Sequence, residues 1–188
     1  GHNEAMAAQL VTSTAGSNGE MGQTLADILV AQKALDATRA QQVKTAEQAR
    51  RWWATAGAAD PSHPYLTKKR LAPHGLRQRD TMLLVPLFYD GELVNIERIY
   101  PDGAKKALFG GRAKGVAGLV GKLVDADRVL IAEGWATAAA LYEAIGVPVV
   151  VARNADNLEP VARRSPQRLP DNVAITLAAD DDRFTDGN

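Results

Sequence analysis

The chain has 188 residues, no cysteine, 46% hydrophobic residues, and 22 basic side chains balanced by 22 acidic ones. That is enough apolar material for one core or two small ones, and it excludes a disulfide framework and a cysteine-ligated zinc site. No apolar run approaches the roughly 18 residues that a membrane-spanning helix needs.

Residues 1–22 lack the basic-then-apolar order of a signal peptide. The expectation is a cytoplasmic protein with no membrane partner. Residues 12–22 are small, polar and rich in Gly and Ser, so 1–22 reads as a flexible linker or tag, and the chain as a piece of a longer protein. Helices follow over 23–61. Leu25, Ile28, Leu29, Gln32 and Leu35 keep helical spacing over 23–41. Thr45 and Gln48 form a capping-box pattern that predicts a second helix over 46–56, carrying Trp52 and Trp53. Those two rings read as core and boundary rather than as a base-stacking platform.

Residues 62–122 read as a basic α+β subdomain. A short helix is expected over 63–71, and His63 and His74 are taken as surface or turn residues. Residues 82–88, 92–100 and 105–109 then make an antiparallel meander. Asp90-Gly91 supplies the hairpin turn, and the second strand has one wetter face. Ten Lys/Arg stand against five Asp/Glu between residues 62 and 114, and seven against eleven between 115 and 188. A basic middle attracts phosphates, and clustered acids hold a divalent cation that bridges to them. Ordinary solvated surface is the plain alternative. Gly118 to Leu123 misses a Walker loop in its first glycine and in Leu123, where Ser or Thr is required.

From Asp127 the rhythm is strand, helix, strand, helix, strand. The strands are 128–132, 147–152 and 173–179, and the helices 135–145 and 157–165. Near-continuous apolar strands alternating with helices predict a parallel sheet covered on both faces, hence an α/β class. Such strands end at one edge, where ligands bind. Glu133 follows the first strand and Asp180, Asp181 and Asp182 follow the third. In extended backbone Asp180 and Asp182 share a face. Each acid alone could be a helix start or a solvated turn. Together they predict a site for a hard, oxygen-seeking cation, Mg2+ or Mn2+.

Glu133-Gly134-Trp135-Ala136-Thr137-Ala138 is similar to the E-G-Y-A-T-A signature of Toprim primases from conjugative plasmids and satellite phages, with Trp135 in place of tyrosine. The run Asn154-Ala155-Asp156-Asn157-Leu158 and the acids Asp180 to Asp182 resemble the same proteins. Upstream, His63-Pro64-Tyr65-Leu66, Leu84-Val85-Pro86-Leu87 and Leu108-Phe109-Gly110-Gly111 resemble the subdomain that precedes Toprim in replicative primases. The resemblance implies a Toprim-type, Rossmann-like parallel sheet over 123–188, preceded by the mixed subdomain and the N-terminal helices. It implies metal-dependent synthesis of RNA primers from ribonucleoside triphosphates on a single-stranded DNA template, with a helicase or transfer protein as a possible partner. Glu133, Asp180 and Asp182 would be the catalytic and metal residues, Glu133 as a ligand or as the base for the attacking hydroxyl. Lys105, Lys106, Arg112 and Lys114 would contact nucleic acid, with Lys68, Lys69, Arg70, Arg77 and Arg79 as the alternative basic run. Two other readings fit the same residues: a Toprim nuclease or topoisomerase, and a non-catalytic nucleic-acid-binding module.

Overall fold

A computed structural model of the chain describes the backbone of residues 2–178 and the side chains of residues 24–178. The chain divides into residues 1–41 and residues 42–188. The first unit is helical and belongs to α1, His2–Thr55. Its Ala, Leu, Gln and Lys are strong helix formers, and Leu25, Ile28, Leu29 and Leu35 are exposed on it. Two expectations fail here. Residues 12–22, read as a linker, are helical, and no break occurs at Thr45. Thr45 is buried inside the helix, and its hydroxyl donates to the Phe109 carbonyl at 3.0 Å instead of capping a new start. No helix of the described residues is long and apolar enough to cross a membrane.

In the second unit, α1 ends on the first sheet. Ala49 is fully buried and lets the helix backbone approach Leu84, Leu93, Ile96 and Leu108, with Trp52 and Trp53 at the margin. Both tryptophans therefore pack as boundary residues, under the guanidinium groups of Arg79 and Arg77. The sheet is antiparallel throughout, in the order β1-β2-β3-β4-β5. Its strands are β1 Gly57–Ala58, β2 Arg77–Arg79, β3 Met82–Tyr89, β4 Glu92–Ile99 and β5 Lys105–Ala107. The expected meander is β3 to β5. Asp90 and Gly91 both take positive φ, +55° and +81°, as the tight turn between β3 and β4 requires. The short α2, Pro64–Lys69, precedes β2. His63 is buried rather than on the surface. Its Nδ1 accepts from the Tyr65 amide at 3.2 Å, so Nε2 carries the proton given to the Thr81 carbonyl at 3.0 Å.

The second sheet has the order β6-β8-β7-β9, from β6 Gly118–Val120, β7 Arg128–Ala132, β8 Val149–Val151 and β9 Ala174–Ala178. β8, β7 and β9 are parallel as expected, and β6 adds an antiparallel edge, so the fold is α/β with a mixed sheet. Successive β7 residues point to opposite faces. Leu130 and Ala132 pack with Trp135, Ala138 and Ala139 of α3, Trp135–Ile145. Ile131 packs with Val161 of α4, Leu158–Arg164, which a 3-10 turn at Ala155–Asn157 introduces. The main core joins the two sheets: Leu83, Val85 and Leu87 of β3 meet Val120, Val149 and Val151.

Candidate functional site

The chain after β7 turns into α3 through Glu133 and Gly134. Gly134 precedes the helix without a side-chain cap, so the amide-rich, positive end of α3 opens there. A cleft of about 380 Å³ surrounds this turn. α2 contributes Tyr65, Lys68 and Lys69, the turn before β5 contributes Asp102 and Gly103, and β5 contributes Lys105. Arg153, just past β8, closes the other side. Four cations thus face two carboxylates, Glu133 and Asp102. Lys105 comes close to the turn: a methyl group in place of the Gly134 hydrogen would lie 3.3 Å from its Nζ. The glycine leaves room for an ammonium at the helix start. Glu133 is half-buried and makes no hydrogen bond or ion pair among the described residues.

The register sorts the four expected nucleic-acid residues. Lys105 pairs with Ile99 and Ala107 with Glu97, so Lys105 shares the inward face of the sheet with Glu97. Lys106 pairs with Arg98 and belongs to the opposite face. Arg112 lies over the Tyr89 ring at 3.3 Å, and its Nε donates to the Lys114 carbonyl at 3.4 Å. The structure therefore brings only Lys105 to Glu133, and does not join the four into one track. Asp180 and Asp182 lie outside the described residues. β9 runs beside β7 with Ala178 paired to Ala132, the residue before Glu133. Among the described residues no three His, Asp or Glu side chains gather as a metal site. Of the expected ligand set only Glu133 is described, and its uncommitted carboxylate is the donor type that Mg2+ prefers.

Two residues were not singled out from the sequence: Arg153, which lines this cleft, and Glu97, whose charge acts on the cleft's Tyr65. Glu97 lies inside β4, which was expected to keep one face wetter, yet it is only 3% exposed, on the face it shares with Val85 and Ile99 of the core that joins the two sheets. Its Oε2 has no hydrogen-bond partner among the described residues, nor do Tyr65 Oη, Arg153 Nε and Asn154 Oδ1, all buried. Buried polar groups are normally paired; of these residues Glu97, Tyr65 and Arg153 lie close enough to act on one another's charge. Arg153 also holds a φ of +83°, a conformation costly for a residue with a side chain. The signals were present: Arg153 follows a parallel strand at the same edge as Glu133, and Glu97 is an acid well inside a strand.

Burial pushes the Glu97 carboxyl above its ordinary range, and Lys105 and Arg153 offset part of that rise. Burial and the nearby Glu97 charge likewise push the Tyr65 hydroxyl up. A carboxyl whose proton is held more tightly folded than unfolded contributes most when both states are protonated, and stability falls as pH rises through the folded value. Glu97→Gln removes that loss. The variant should melt higher than the parent at about pH 7–8, by ~2–4 °C for each kcal/mol recovered, and the gain should vanish near the ordinary carboxyl value of 4.5. Thermal melts across this range check it, and equal melting at neutral pH would contradict the cost of burying this charge.

The chain is similar to a DNA primase TraC of Escherichia coli, 32% identical over 169 residues, which is 85% of this chain and 12% of that protein. A second Escherichia coli protein of the same name is 34% identical over 127 residues, 64% of this chain and again 12% of the relative. The chain thus spans about an eighth of the length of the curated relatives it matches. No family model and no solved structure matches it.

Proposed function

We propose that this chain is the catalytic region of a Toprim-type DNA primase, which joins ribonucleotides on a single-stranded DNA template. One observation carries the reading: an uncommitted carboxylate, Glu133, stands at the end of a parallel strand beside Lys68, Lys69, Lys105 and Arg153 in one cleft. The similarity to proteins named DNA primase supports it. The cations and the open end of α3 suit a triphosphate or a nucleic-acid backbone. Glu133 suits either of two tasks, accepting the proton of the attacking hydroxyl or sharing a cation with Asp180 and Asp182. Bound Mg2+ or Mn2+ would supply neutralisation of the charge that develops on the triphosphate.

The test uses the full-length protein, single-stranded DNA and labelled ribonucleoside triphosphates, with and without the divalent cation. Lys105→Ala should weaken single-stranded DNA or nucleotide binding about ten-fold, the loss of one charge-assisted contact worth ~1.5 kcal/mol. If the lost contact is to a DNA phosphate, the salt slope should drop by about 0.7. Lys106→Ala, on the opposite face, should change binding less than about two-fold. Equal effects of the two variants would remove the cleft from the binding path.

A further inference from the structure

A second hollow, of about 430 Å³, lies away from the Glu133 cleft, between the β3–β4 hairpin tip, β6 and α4. Its volume is within the usual range for ligand pockets, about 300–1,000 Å³. Its floor is apolar: Leu119 of β6, Val150 of β8, Val161 of α4, and Leu169. Phe88 and Leu123 line it too, each more than a third exposed, and Val124 beside them is 79% exposed. Large apolar side chains gathered in the open at one concave place mark an interaction surface.

The rim is charged and built. Asp90, at the hairpin turn, accepts from both Arg164 and Arg168 through the same oxygen. Arg164 also donates to the Tyr89 hydroxyl at 2.8 Å and lies over the Tyr89 ring at 4.0 Å, and Arg112 lies over that ring at 3.3 Å. Gly115 makes the arrangement possible, since a side chain there would meet Arg164 Cδ at 3.1 Å and Tyr89 Cε2 at 3.3 Å. Arg164 and Arg168 share the Asp90 carboxylate, and Arg112 reaches the same edge over the Tyr89 ring without a carboxylate of its own, so the three guanidinium groups exceed that carboxylate by two charges.

We propose that this hollow is a docking site for an acidic peptide segment of a partner protein, with an apolar side chain on the Leu119–Val150 floor and carboxylates on Arg112 and Arg168. Guanidinium groups match carboxylates in paired hydrogen bonds, and the floor demands an apolar group. A nucleic-acid backbone satisfies the arginines but leaves the floor bare, and the guanidinium groups already over Tyr89 compete with a base for its ring. The site is independent of the Glu133 cleft and of the reaction proposed there.

The experiment is a fluorescence-anisotropy titration of the 188-residue chain with a labelled peptide, Asp-Asp-Glu-Leu-Phe-Asp. Saturable binding is expected. It should weaken at least ten-fold when the acids are replaced by amides, and at least ten-fold when Leu and Phe are replaced by Ser. Arg168→Glu and Leu123→Asp should each weaken it by a similar factor. Both positions are exposed, and an unchanged melting temperature shows that the variants fold. An oligo-dT strand should not displace the peptide. Absence of binding, equal binding of the acidic and amidated peptides, or displacement by oligo-dT would overturn the proposal, the last in favour of a nucleic-acid surface.

Discussion

Glu133→Gln in the full-length protein should lower primer synthesis by about 10²-fold or more, as expected for loss of a general base or an essential cation ligand. The substitution keeps size and shape and removes charge and basicity. Glu133 is half-buried and holds no partner among the described residues, so no described hydrogen bond or ion pair depends on its charge. Stability should therefore stay within about 0.5 kcal/mol, and loss of product would report chemistry rather than unfolding. Single-stranded DNA binding should persist, because the cations of the cleft remain. That combination separates an enzyme from a binding module, which would lose neither. Primer yield measured beside DNA affinity decides it, and near-normal yield from the variant would sink the catalytic role of Glu133.

The position of Glu133 was legible because β7, β8 and β9 of the second sheet obey one rule. Apolar strands and helices alternate, so parallel pairing and a shared ligand edge follow, and β7 and α3 occupy the residues expected of them. The Asp90-Gly91 turn was legible for a local reason, its two positive φ angles. What escaped depends on long-range pairing. β1, β2 and β6 are two or three residues long, too short to show a period. The alternation in β4 says that two faces differ, but not that Glu97 lies on the face of the core that joins the two sheets. Adjacent lysines at 105 and 106 look equivalent in sequence, and only the register with β4 sends them to opposite faces. At Thr45 a capping pattern and a buried hydroxyl bonded to Phe109 read the same. The interior polar seam arises from segments far apart in the chain, so the cleft could be placed from its first acid but not furnished.

Trp135 shows how the motif residues divide between chemistry and packing. It sits two residues after Glu133 in the signature, a position that invites a role in substrate stacking. The structure buries it to 1% exposure, with its ring 6.4 Å from Tyr65 and 6.5 Å from His74, in the core that joins the two sheets. Removing it leaves a cavity where α3 meets α2 and β7. Trp135→Ala should destabilise the fold by about 3–5 kcal/mol, or a fall in melting temperature of ~2–4 °C for each kcal/mol. Trp135→Phe keeps an aromatic ring and should cost less, in proportion to the volume it fails to fill. The Ala variant should lose activity as well, since Glu133 and Gly134 are held by the helix that Trp135 anchors. Rescue by Phe of both stability and primer synthesis would assign the side chain to packing. If Trp135→Ala melts within about a degree of the parent yet loses activity, the ring serves the ligand rather than the core.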